Sequence, residues 1–115
     1  MKHTGSCHCG KVKFEAEMSV DSGLTCNCSI CQKRGSILAF IPSENFNLIS
    51  GANALTEYKF NKNVIEHNFC STCGILPFAG GVAPDGKKMM AINLRCVDEI
   101  DLKSIKIKEY DGKHI

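Results

Sequence analysis

The 115-residue chain has no apolar run approaching the ~18 residues that a membrane-spanning helix needs. Its first stretch, MKHTGSCHCGKVKFEAE, also holds no apolar segment able to act as a signal peptide, so a reducing cytoplasm is the expected compartment. Basic residues form no stripe or tail. Fourteen Lys+Arg against twelve Asp+Glu give a formal charge of +2, with QKRG (32–35) and GKK (86–88) the only small clusters. A nucleic-acid partner is therefore not expected. Repeats, linkers and low-complexity tracts are absent too, which leaves a single domain, residues 1–115, as the expected organisation. No Ser/His/Asp constellation, phosphate-cradling glycine loop or paired-carboxylate signature is present, which removes the commonest hydrolytic and nucleotide chemistries.

What the chain does have is cysteine, eight in all. Seven fall into three close groups: CHC (Cys7, Cys9), CNCSIC (Cys26, Cys28, Cys31) and CSTC (Cys70, Cys73), with Cys96 apart. In a reducing compartment such density points to metal or catalytic chemistry rather than to a disulfide framework. A chain of this size also gains from a staple, because its core is modest.

The apolar pattern is mainly β. KVKFEAE (11–17) alternates Val12, Phe14 and Ala16 with charged residues, the period of a half-buried strand. GSILAFI (35–41) is a short apolar run between Gly35 and Pro42 that suits a buried strand. LTEYKF (55–60) and VIEHNF (64–69) flank Asn61-Lys62-Asn63, a hairpin-turn signal, and APDGKK (83–88) is a second turn leading into MMAINL (89–94). VDEIDLKSI (97–105) is expected to hold one short helix, and IKIKEY (105–110) a last strand. The expectation is a small mainly-β domain of several short strands with little helix.

In an extended strand residues i and i+2 share a face, so Cys7 and Cys9 are expected to present both sulfurs to one point while His8 is directed away. CSTCG (70–74) is a turn device, in which backbone N–H groups point at the thiolates and Gly74 accepts positive φ. Together these pairs make a closed four-sulfur zinc site. Cys26, Cys28 and Cys31 are then left with three thiolates and no fourth, the count of a catalytic zinc centre with one open position. Seven ligand thiolates and two zinc ions would move the formal charge from +2 to −1. Spacing alone leaves other partitions open: CSIC with CSTC would make an equally good site, and Cys96 could supply a missing ligand.

In order along the chain, GSCHCGKVKFE, CNCSICQKRG, NFCSTCG and INLRCVD resemble the motifs of the glutathione-dependent formaldehyde-activating enzyme (Gfa) family, also called centromere-protein-V-like. The resemblance implies a zinc-stabilised β structure of the Mss4-like type. It implies a structural zinc on Cys7, Cys9, Cys70 and Cys73, and a second zinc at the active centre on Cys26, Cys28 and Cys31. The activity implied is a carbon–sulfur lyase joining glutathione and formaldehyde to S-hydroxymethylglutathione, with a small-molecule thiol as partner.

Physically that step needs a thiolate and a polarised carbonyl. A free thiol of pKa near 8.5 is about 3% ionised at pH 7, so ligation to zinc raises the anion population roughly thirtyfold, about 2 kcal/mol. Three thiolates already leave the metal a weak Lewis acid, better suited to capturing a soft sulfur than to activating water. Lys33 and Arg34, directly after the triad, are candidates for glutathione's carboxylates; the plainer alternative is that they are solvated charges or neutralise the cluster. His67 is either a donor or proton shuttle near Cys70 or an ordinary half-buried histidine. Cys96 reads as a buried apolar thiol. Two other functional classes compete with the lyase: a zinc-stabilised binding module or glutathione carrier, and thiol–disulfide chemistry at a metal-free Cys70/Cys73 pair.

Overall fold

The computed structural model describes residues 1–59, 65–83 and 85–110. The expected turn at Asn61-Lys62-Asn63 lies outside them. The elements form two sheets. The smaller has the order β1–β2–β5, made of β1 (Lys2–Ser6), β2 (Lys13–Glu17) and β5 (Phe46–Ser50). In it β2 pairs antiparallel with both neighbours, and its register with β5 shifts between Lys13 and Phe14.

The larger sheet has seven strands in the order β10–β3–β4–β9–β8–β7–β6. These are β3 (Ser22–Cys26), β4 (Leu38–Pro42), β6 (Leu55–Tyr58), β7 (Glu66–Cys70), β8 (Phe78–Val82), β9 (Lys88–Asn93) and β10 (Lys106–Tyr110). Only β10 with β3 is parallel; the other pairs are antiparallel. Among the described residues the one α-helix is α1 (Ser29–Arg34), closed at its C-terminus by Gly35 in the left-handed region at φ 73°.

The alternation read in KVKFEAE places Phe14 and Ala16 on the buried face of β2, and both are fully shielded from solvent. Phe14 meets Phe46 of β5 at 5.8 Å between ring centroids and Phe78 of β8 at 6.3 Å, so aromatic packing joins the sheets across the core. Ile92 of β9 and Leu94 just after it are fully buried too, as are Val12, Cys70 and Pro77. A backbone bond from Asp98 to Thr4 (2.8 Å) and a bridge between Gly5 and Val97 tie the small sheet to the segment after β9.

One expectation is met and one corrected. The segment 97–105 holds one short helix, of 3-10 type, at Leu102–Ser104, whose Lys103 N–H is capped by the Asp101 side chain, after an isolated bridge at Val97. Asp101 satisfies the first turn locally, and Ile105 leaves it in extended conformation and is buried, so tertiary packing ends the helix after one turn. CHC, in contrast, is not in a strand. β1 ends at Ser6, and His8 and Cys9 lie in a turn that ends at Gly10 (φ 83°). His8 is thus separated from its neighbours by turn geometry and not by strand alternation.

Candidate metal centres and the adjoining cavity

The first centre is built from two tight turns on different sheets. The β1–β2 turn carries Cys7 and Cys9; the turn after β7 carries Cys73, with Cys70 as the last residue of that strand. Gly74 sits at φ 79° and its N–H closes back on the Cys70 carbonyl at 2.8 Å, as the CSTCG pattern required. Gly10 does the same for Cys7 at 3.3 Å, so the two turns are alike in construction.

The four ligand sulfurs all lie within 4.8 Å of one another, with Cys7–Cys9 and Cys9–Cys70 both at 3.6 Å. Four sulfurs about 2.3 Å from a tetrahedral zinc stand about 3.8 Å apart, so the spacing fits that ion. Cys7 and Cys70 are part of the hydrophobic core. The Val12 N–H donates to the Cys7 sulfur at 3.4 Å. Burial opposes ionisation of Cys73, but N–H donors from Ile75 and Cys9 and the thiols of Cys70 and Cys7 prevail and bring it down to about 6. At Cys9 a donor from Lys11 favours the thiolate, yet burial and the sulfurs of Cys70, Cys7 and Cys73 push it up to about 11.

The second centre stands where β3 meets α1. Cys26 ends the strand, Cys28 is the residue before the helix, and Cys31 lies within its first turn. Their sulfurs also lie within 4.8 Å of one another, and all three are half-buried. The Cys28 N–H donates to the Cys26 sulfur at 3.5 Å. Burial, then Cys28, pushes the Cys31 thiol up to about 12. Cys28 is held below its ordinary value, because donors from Cys31 and Ile30 and the thiols of Cys31 and Cys26 outweigh its burial. All eight cysteines are free thiols. The structure therefore brings together one group of four and one of three, each able to hold a metal ion.

A cavity of about 600 Å³ lies between α1 and the turns of the first centre, lined in part by Cys7, Arg34, Ser36, His67, Asn93 and Arg95; none of Cys26, Cys28 and Cys31 lines it. Arg34 reaches it from the last turn of the helix, whereas Lys33 is exposed and outside the lining. Arg34 Nη2 donates to His67 Nδ1 at 3.1 Å, and since a guanidinium accepts no hydrogen bond, the imidazole carries its proton on Nε2. Burial, then Arg34, lowers the pKa of His67, which keeps the ring neutral. Burial lowers the pKa of Arg34 while the sulfurs of Cys31 and then Cys28 oppose that, which places the guanidinium in the field of the second centre.

Cys96 belongs to neither group. It is half-buried on the cavity wall, donates to the Leu76 carbonyl at 3.7 Å, and is pushed up to about 11 by burial and then by Cys7 and Cys73. Sequence reasoning missed Ser36, Asn93 and Arg95, since no spacing or motif links them to the cysteines.

Two sheets around one core, with a four-cysteine and a three-cysteine group, define a small β protein with two candidate thiolate metal centres. The family model of the glutathione-dependent formaldehyde-activating enzyme matches residues 2–110, and the chain belongs to that family. It is 31% identical over 78 residues to a Talaromyces marneffei protein provisionally named a glutathione-dependent formaldehyde-activating enzyme. That match covers 63% of this chain and 41% of the relative, so the chain spans under half of the relative's length. A crystal structure of a Rhodobacter sphaeroides protein superposes with a TM-score of 0.79 at 27% identity, covering 91% of this chain and 99% of the other.

Proposed function

We propose that the protein is a zinc-dependent carbon–sulfur lyase acting on glutathione adducts, of the kind that joins glutathione and formaldehyde to S-hydroxymethylglutathione. The observation that carries this reading is the contrast between the centres. Four sulfurs close the first, two of them in the core, whereas the second has only three, all half-buried. Cys7, Cys9, Cys70 and Cys73 would hold a structural zinc; Cys26, Cys28 and Cys31 would hold the catalytic one. Zinc bound there supplies a position for a further soft sulfur ligand and favours that sulfur as a thiolate.

The chain's own residues supply the rest. Cys26, Cys28 and Cys31 fix where the sulfur is received, at the junction of a strand and a helix whose backbone holds them in place. Arg34 offers a cation one helical turn away, and Lys33 adds positive charge on the exposed side. His67 is not free to take a proton on Nδ1 while that atom accepts from Arg34, so its part is to orient the guanidinium.

The test is adduct formation followed by NMR with zinc-loaded protein, glutathione and formaldehyde. The expected result is faster formation of S-hydroxymethylglutathione than in protein-free buffer, with no binding of S-methylglutathione. Thiol-dependent binding without acceleration would make the protein a carrier, and the absence of thiol-dependent binding would contradict the reading altogether.

A further inference from the structure

The cavity between α1 and the first centre stands apart from the chemistry of the three-cysteine group, since none of Cys26, Cys28 and Cys31 lines it. Two guanidinium groups do, Arg34 and Arg95, and no Asp or Glu among the described residues joins them. Neither arginine has a carboxylate ion-pair partner among those residues. Ser36 lines the same cavity; it is 4% exposed and its hydroxyl has no hydrogen-bond partner. A buried polar group left unpaired is destabilising, so its persistence in a folded protein points to a missing partner. The wall also has an apolar part. Tyr58, Phe69 and Ile75 belong to it, and Tyr58 and Ile75 are 49% and 39% exposed, so large apolar surface lies open in the same cavity as the cations.

The three donors come from separate places in the fold. Arg34 stands in the last turn of α1, Ser36 in the link that follows Gly35, and Arg95 in the 3-10 turn Leu94–Cys96 after β9. That turn is anchored, because Asn93 accepts from the Arg95 N–H at 3.1 Å and donates to the Leu76 carbonyl at 2.9 Å. Arg34 is oriented by its bond to His67. A guanidinium only donates, and a serine hydroxyl without an acceptor is available to donate, so all three call for acceptors bearing negative charge. A carboxylate has two oxygens in one plane, which a single guanidinium fork can satisfy alone. A phosphate group offers three oxygens in different directions and nearly two negative charges, which suits donors arriving from separate elements. The volume of about 600 Å³ is usual for a small-molecule site and leaves room for an apolar body beyond the phosphate.

We propose that this cavity is a second ligand site, for a phosphate monoester with a small apolar or aromatic body and no thiol. Its oxyanion is held by Arg95, Ser36 and Arg34, and its body lies against Tyr58, Phe69 and Ile75. The site is separate from the position at which the three-cysteine centre would receive a sulfur, and it does not depend on the thiol reading. Since Cys7 and the last turn of α1 both line the cavity, the guest touches the supports of both centres.

The experiment is calorimetric binding to the zinc-loaded full chain of phenyl phosphate, inorganic phosphate and benzyl alcohol, which carry both features or one alone. Phenyl phosphate is expected to bind at least about tenfold more tightly than either of the others, as burial of its ring beside a held oxyanion implies. Arg95 is exposed, so Arg95→Ala leaves the fold intact and should weaken phenyl phosphate at least about tenfold. Ser36→Ala removes only the hydroxyl and should cost at least about threefold. Arg95→Lys keeps the charge without the fork and should recover part of the loss. Cys28→Ser, which empties the second centre, should leave phenyl phosphate binding unchanged. Inorganic phosphate bound as tightly as the ester would overturn the organic guest, and full binding by Arg95→Ala would overturn the site. Loss of phenyl phosphate in Cys28→Ser would return the cavity to the thiol centre. No binding of phenyl phosphate to the unaltered protein would overturn the proposal and leave the thiol reading standing.

Discussion

At the scale of single residues the cysteines within each group are unequal. Cys73, at about 6, is already a thiolate at neutral pH, while Cys9 and Cys31 hold their protons to about 11 and about 12. Zinc deprotonates every thiol that it binds, so loading releases protons only from those still protonated. Loading the four-cysteine group at pH 7.5 should therefore release fewer than four protons. As pH falls through about 6 the count should rise by about one as Cys73 takes up its proton, and zinc affinity should fall. Calorimetry in buffers of different ionisation enthalpy measures that count; a constant release across this range would contradict the assignment to Cys73. Cys96 differs again. Half-buried and raised to about 11, it is a slow nucleophile at neutral pH, so alkylation of zinc-loaded protein should modify at most Cys96, faster as pH rises past 9. Peptide mass spectrometry after timed alkylation reads this directly.

At the scale of elements, the two centres sit on different kinds of support. The first joins the β1–β2 turn of one sheet to the end of β7 in the other, and two of its sulfurs are core residues. Cys70→Ser should remove zinc from that site and leave little folded protein, because structural zinc contributes apparent folding free energy of order 10 kcal/mol. Cys28→Ser affects only the β3–α1 junction, where none of the helix residues is buried, and should keep most of the fold. Circular dichroism and zinc content on the two variants would settle the division; equal unfolding by both would overturn it.

The same contrast explains what could be read from sequence. Strands with a buried face and a wet face, such as β2 with Phe14 and Ala16 inward, announce themselves by alternation. β3 is SGLTC with one buried residue and gives no period, and β1, β5 and β8 were also not foreseen. The six-residue α1 has no apolar stripe at all; its place is set by Cys28 before it and Gly35 after it. The cysteine groups were legible because ligand chemistry depends on identity and spacing. The cavity was not, because Ser36, His67 and Arg95 converge only through the pairing of distant strands.

At the scale of the whole molecule, the four-cysteine group acts as a clamp between sheets that otherwise share an aromatic core and the Asp98–Thr4 and Gly5–Val97 contacts. Chelation should thus lower the unfolding temperature sharply and at the same time expose the seven grouped thiols to alkylation. Zinc restored before refolding should reverse both, and a melting temperature indifferent to chelation would show that the clamp is not metal. No helix among the described residues is long and apolar enough to cross a membrane.

The central claim is that one centre is closed by four sulfurs and the other open with three. X-ray absorption at the zinc edge of protein carrying two zinc ions per chain tests it most directly. The expected mean coordination is about 3.5 sulfurs per zinc, rising to about 4 with glutathione and unchanged by S-methylglutathione. Four sulfurs per zinc before any thiol is added, or no change on adding glutathione, would contradict it.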